Sequence, residues 1–159
     1  MSQFSRDNYK RRKSIGTMAI ELTGGSLFLI VLSLLFVDVS VMMLGFQVND
    51  RACRDACRAA AQQSSSSQAI AAAKASLNMH KADGNFVTNP TLLTDSANFV
   101  YQDFGGNPTA GNPTVTVTSE CKVKLPVPLV FCGQGLDNSG NYTFRKRYTF
   151  PIVAFNLQL

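Results

Sequence analysis

A run of 23 residues, Gly24–Phe46, contains a single ionisable side chain, Asp38. An α-helix rises about 1.5 Å per residue, so such a run covers roughly 34 Å, enough for a hydrocarbon core of about 30 Å. Lys10-Arg11-Arg12-Lys13 lies just ahead of it. Basic residues beside an apolar span stay on the cytoplasmic side. This arrangement predicts a single membrane pass with the N-terminus inside and everything after Phe46 exported. The apolar run exceeds the 7–15 residues of an ordinary secretory signal and no A-x-A site follows it, so an uncleaved anchor is the plain expectation.

The formal charge of +5 belongs almost wholly to the leader. Residues 1–16 hold five basic side chains against Asp7, leaving ten basic and nine acidic residues in the remainder. Phosphate recognition needs clustered charge on the working surface, so the distribution argues against nucleic-acid binding. Arg145-Lys146-Arg147 is the one later basic cluster, and it reads as a solvated strand or sheet edge.

Residues 1–15 are polar, lack apolar periodicity, and are expected to be disordered. Helical patterning continues past Phe46 through Gln63, with Val48, Ala52, Ala56, Ala59 and Ala60 as a small-residue stripe. If continuous from Thr17 to Gln63, this transmembrane and stalk helix would be roughly 70 Å long. Ser64–Ser67 is a poor helix interior and reads as a joint. A second helix is expected from Gln68 to His80, with Ile70, Ala73 and Leu77 on one face, ending at Asp83-Gly84. Short strands are expected at Phe86–Val87 and Phe99–Tyr101, and the repeated GNPT at 106–109 and 111–114 reads as surface loop.

Val115, Val117, Cys121, Val123 and Leu125 alternate with polar residues at a period of two. Tyr142, Phe144, Tyr148, Phe150 and Ile152 form a second alternating face, interrupted by Lys146. The expected class is α+β: a long N-terminal helix, then an exported helix-plus-antiparallel-sheet domain over residues 64–159.

Four cysteines, Cys53, Cys57, Cys121 and Cys132, are an even count in a segment expected to be exported, which predicts two disulfides. Cys53 and Cys57 share a helix face and could bridge to the strands carrying Cys121 and Cys132. A Cys121–Cys132 bridge across a hairpin is the other pairing. The spacings do not match common zinc knuckles, and no metal or cofactor is expected. His80 is the sole histidine, placed for a cap or a solvated position, and Asp83, Asp95, Asp103 and Asp137 fall among turn residues. No G-x-S-x-G, P-loop or dinucleotide fingerprint occurs in the sequence, and no enzyme is expected.

The leader junction adds a further signal. Gly16 precedes Thr17-Met18-Ala19-Ile20-Glu21, so a cut after Gly16 places Glu21 fifth in the shortened chain. A basic leader ending in Gly, followed by Glu at the fifth position of a long apolar helix, resembles the type IV prepilin processing signal. It is most similar to the Tad (tight adherence) branch with its G-x-x-x-[VI]-E element. Flp pilins end soon after the helix, whereas this chain continues for more than a hundred residues and so resembles the TadE/TadG-like minor pilins. The resemblance covers residues 10–63, with weaker similarity in the β-rich remainder; the cysteines are not carried by it.

That resemblance implies a bacterial inner-membrane protein, processed by a prepilin peptidase and assembled with other pilin subunits and Tad assembly proteins into a pilus or pseudopilus. It implies that Glu21 neutralises the amino group freed at Thr17 of a neighbouring subunit. Asp38, costly inside a bilayer at about 2.5–3.5 kcal/mol, is expected to pair with a partner helix. The competing expectation is an uncleaved, signal-anchored binding or sensor module facing away from the cytoplasm.

Overall fold

The computed structural model describes residues 3–106, 111–126 and 140–153, with residues 3–16 as helix backbone. Two compact units follow along the chain, Met1–Val37 and Asp38–Leu159, and helix α1 (Gln3–Ala61) contributes to both.

The first unit is α1 alone. Its side chains from Thr17 to Val37 are exposed or half-buried, with Leu22, Phe28 and Phe36 at 76%, 66% and 72% exposure. The helix starts at Gln3, inside the leader expected to be disordered. Lys and Arg are good helix formers, and once the apolar stretch has paid the nucleation cost each further residue adds a hydrogen bond.

The second unit is an α+β domain built from the rest of α1, helix α2 (Ser66–Met79) and an antiparallel sheet of β1 (Thr91–Leu93), β2 (Phe99–Gln102), β3 (Thr114–Lys124) and β4 (Asn141–Pro151). It begins at Asp38, so it takes in a stretch of α1 that the sequence alone assigns to the transmembrane and stalk helix. β3 is the hub. β4 pairs with its whole length, Thr114↔Pro151 to Lys124↔Asn141, so β1 and β2 share its other edge end to end. Val87, expected in a strand, forms a single bridge to Val123 on that same edge. The joint at Ser64–Ser67 is a helix start: Ser65 caps α2, its hydroxyl accepting from the Gln68 amide at 3.4 Å.

The period-two pattern of β3 sets which face meets the helix. Val115, Val117, Ser119, Cys121 and Val123 are buried beneath α1, and Thr114, Thr116, Glu120, Lys122 and Lys124 point away. Four helix residues rise about 6 Å and two strand residues about 6.6 Å, so rows at i, i+4 can stay in step with alternate strand residues. Cys57, Cys53 and Asn49 accordingly sit at Val115, Val117 and Ser119. One turn further, Gly45 is so close to the sheet that a Cβ there would collide with Val123. Ala52, Ala56 and Ala60, all fully buried, share a core with Ala69, Ala73 and Leu77 of α2.

Candidate functional site

Most of the described residues singled out in the sequence lie either on the exposed apolar helix of the first unit or at the seam between α1 and the sheet in the second, with Asp83, Asp95 and Asp103 in turns. Among the described residues, one helix, near the N-terminus, is long and apolar enough to cross a membrane. Gly16 lies within α1, and Thr17 and Glu21 follow it on the exposed stretch. Nothing within 4 Å would obstruct a Cβ at Gly24 or Gly25, so their surfaces are open. Asp38 is different. It is 1% exposed in the single chain, so its own chain encloses it, whereas a partner helix was expected to.

Beyond Phe46 the outward side of α1 turns polar with Gln47, Arg51, Arg54 and Arg58, and the seam with the sheet is a place of structural chemistry. Asn49, fully buried, donates its side-chain amide to the Phe144 carbonyl at 3.0 Å and accepts from the Ser119 hydroxyl at 2.7 Å. The i, i+4 row Phe46, Asp50, Arg54, Arg58 lies along β4. Phe46 meets the Phe144 ring edge-on at 6.1 Å, and the Tyr148 hydroxyl donates to Asp50 at 2.8 Å. Arg54 binds the other Asp50 oxygen at 3.1 Å and lies over the Tyr148 ring, and Arg58 lies over Phe150. Lys146, which interrupts the alternation by residue type, keeps it in geometry. It points inward, with its ammonium 3.5 Å from Asp50 and 4.1 Å from the Phe46 ring centroid. The hydroxyl of Tyr148 first, and then Lys146 and Arg54, hold the Asp50 carboxyl below its ordinary range against the opposing effect of burial. Sequence reasoning missed this cluster; its signal was the 46-50-54-58 spacing read together with the β4 period.

The cysteines depart from the disulfide expectation. Cys53, Cys57 and Cys121 are free, buried thiols, and Cys132 lies outside the described residues. Register gives the reason. Cys53 sits at Val117, whereas Cys121 is four residues along β3, about 13 Å at 3.3 Å per residue, beyond the 4.4–6.8 Å Cα separation of a disulfide. The thiols donate to backbone carbonyls instead: Cys53 to Lys146 at 3.2 Å, Cys57 to Tyr148 at 3.3 Å, Cys121 to Thr88 at 3.2 Å. Burial pushes all three up from the usual thiol value, and Cys57 reaches about 12 with Cys53 beside it. Protonated and enclosed, they are small spacers that let helix and sheet approach, and poor nucleophiles.

The remaining candidates are structural. His80 caps α2 and its Nε2 lies 3.1 Å from Asp55 of α1, tying the two helices together. Asp83 accepts the Val87 amide at 2.8 Å, Asp95 the Asn98 side chain at 2.7 Å and Asp103 the Gly105 amide at 3.2 Å, each in its own turn. Asp137 lies outside the described residues, and no group of three or more His, Cys, Asp or Glu among those described could hold a metal ion. Two shallow hollows, one at Pro113, Phe150 and Ile152 and one between α2 and β1 at Leu77 and Leu92, bring no catalytic set together. No protein-family model matches the chain, and no curated protein or solved structure matches it.

Proposed function

We propose that this protein is a membrane-anchored structural subunit, a minor pilin or pseudopilin of the TadE-like kind that its leader junction resembles. The observation that carries the reading is an exposed apolar helix with a single carboxylate on it, Glu21, placed fifth after Gly16. Apolar side chains at this level of exposure need lipid or neighbouring helices to cover them. A carboxylate among them is costly until paired. A prepilin peptidase cutting after Gly16 frees an amino group at Thr17, and Glu21 of an adjacent subunit neutralises it and sets the axial register. No residue of the chain performs chemistry in this scheme. The second unit is carried on the outer side of the inner membrane, and α1 supplies the packing surface.

Intact mass and N-terminal sequencing of the protein from its native membrane test the reading. A chain beginning at Thr17 is expected. Glu21→Ala is expected to leave cleavage intact and abolish incorporation into fibres. A chain beginning at Met1 or Ser2 in cells with an active prepilin peptidase would refute processing.

A further inference from the structure

The apolar run of the sequence, Gly24–Phe46, and the surfaces of the folded chain do not coincide. From Asp38 onward one face of α1 is covered by the end of the sheet: Val41 and Met42 pack with Val87, Cys121, Val123 and Leu125. A bilayer core drawn over Gly24–Phe46 would enclose that end of the domain as well. It would immerse the non-helical stretch around Asp83–Thr88 and the exposed Lys122 and Lys124, which flank Val123. Lipid-exposed irregular backbone does not occur in hydrocarbon, and a lysine becomes more costly the deeper it lies below the interface. Thr17–Val37, by contrast, belongs to a separate unit in which Leu22, Phe28 and Phe36 are largely exposed, and its rise of about 30 Å equals the hydrocarbon thickness.

We infer that the hydrocarbon boundary falls at Asp38 and that the end of the second unit where α1 enters it is a lipid-docking surface seated in the outer headgroup layer. This inference rests on the membrane-anchored reading given above and adds where the membrane ends and what covers the domain. Over the two turns Val39–Phe46 α1 exposes mostly apolar side chains, Val39 at 46%, Met43 at 62% and Leu44 at 48%, with Ser40 among them and Phe46, 41% exposed, at the edge beside Phe144 of β4. At Gln47 the outward side of α1 turns polar. Phe86, 42% exposed, stands beside this rim, its carbonyl accepting the Lys124 amide at 2.7 Å. Asp38 to Phe46 rises about 12 Å, enough to cross a headgroup layer of roughly 5–8 Å.

The charges fit the same partner. Lys81, Lys122 and Lys124 are exposed around the rim, while the nearest acids are engaged: Asp83 with the Val87 amide and Glu120 with Arg145 at 2.8 Å. Aromatic and aliphatic side chains ringed by lysines match an interface of acyl-chain ends and anionic phosphates. The boundary also puts Glu21 about 6 Å inside the hydrocarbon edge on the leader side, deep enough that pairing in the assembled fibre matters.

The chain contains no tryptophan, so single substitutions report position without background. The full chain carrying Phe28→Trp, Met43→Trp, Phe86→Trp or Arg58→Trp is reconstituted into phosphatidylcholine–phosphatidylglycerol vesicles whose acyl chains are brominated either near the headgroup or near the bilayer centre. Phe28→Trp is expected to lose most of its emission to the deep bromines. Met43→Trp and Phe86→Trp are expected to be blue-shifted and quenched by the shallow bromines only, and Arg58→Trp by neither. Quenching of Phe28→Trp with Met43→Trp and Phe86→Trp unaffected would overturn the docking surface and leave the anchor standing. So would a blue shift at these two positions that follows protein concentration and ignores the bromines, since a second copy would then cover the rim. An unquenched Phe28→Trp overturns both readings.

Discussion

Gly45 offers the sharpest test of the helix–sheet seam. A Cβ there would collide with a γ-methyl of Val123, a side chain that is fully buried and paired through its backbone to Tyr142 on one edge and Val87 on the other. Val is stiff at χ1, and with both edges of its strand held the methyl has little freedom to give way. Gly45→Ala therefore forces α1 and β3 apart, an overpacking cost of about 1–3 kcal/mol. The same substitution gains about 1 kcal/mol of helix propensity. The net in the native background is a loss of about 0–2 kcal/mol, too close to zero to decide the matter alone.

A double-mutant cycle separates the two effects. Val123→Ala removes the obstructing methyls and by itself costs about 1–3 kcal/mol as lost burial and cavity. In that background Gly45→Ala meets no obstacle, and only the propensity gain remains, so its sign reverses to a stabilisation of about 0.5–1 kcal/mol. The expected coupling is about 1–3 kcal/mol, in the range seen for residues in direct contact. Thermal unfolding of the full chain in detergent, followed by the near-ultraviolet dichroism of its tyrosines, reads all four corners. Gly25→Ala, where a Cβ meets nothing within 4 Å, is the control and is expected to be neutral or stabilising. Equal effects of Gly45→Ala in both backgrounds would refute the close approach.

Two further outcomes follow from the same seam. Because folding raises the thiol values, above all Cys57 to about 12, the folded state keeps protons that the unfolded chain releases from about pH 9. Stability is thus intact below pH 9 and falls as pH rises toward 12, by about 1.4 kcal/mol per pH unit for each retained proton. Cys57→Ala is expected to flatten that slope in pH-dependent chemical denaturation, and an unchanged slope would count against the buried thiol. The Asp50 carboxyl is shifted the opposite way, so its contribution is present above its ordinary value of 3.8 and is lost as pH falls through the lower folded value. Asp50→Asn weakens a charge-assisted bond to Tyr148 and the contacts to Arg54 and Lys146, an expected loss of about 1.5–3 kcal/mol at neutral pH that narrows on acidification. Tyr148→Phe combined with it should add little, and full additivity would show that the two do not share an interaction.

The features that the amino-acid pattern conveyed are those repeated over many residues. The apolar run marks α1, the Val/Thr alternation marks β3, and the aromatic alternation marks β4, so the α+β class was legible. β1 was not, because three residues after Asn89-Pro90 carry no period and are held in place by the edge of β3. Lys146 was read as a break because its charge hides its place on the inward face; the partner that makes the position tolerable, Asp50, lies 96 residues earlier in the numbering and is set there by the helix rows. The cysteine count suggested bridges, but count carries no register, and register leaves Cys53 and Cys121 too far apart to bond. Composition alone does not place the end of a span, since Val39, Met43 and Leu44 are equally apolar in lipid or beneath headgroups; the packing of Val41 and Met42 against Val87 and Val123 is information that only the fold carries.

The seam also explains why α1 changes composition where it does. On Thr17–Val37 large apolar side chains such as Leu22, Phe28 and Phe36 are exposed, a surface for lipid or other helices to fill. From Gly45 to Ala60 the covered side is Gly, Asn, Cys and Ala, none of which is large enough to hold the sheet away. Small residues bring backbone close to backbone, which is what allows Asn49 and the two thiols to satisfy carbonyls of β3 and β4 from a neighbouring layer. A sheet of this size offers little apolar area of its own, and much of what it has faces α1. The domain consequently has no separate foundation: the helix proposed to anchor and assemble the protein is also the floor of its core. Any force applied along α1 in a fibre would reach β3 and β4 through those contacts, and the outward polar row Asp50, Arg54 and Arg58 ties the β4 side of the seam against it.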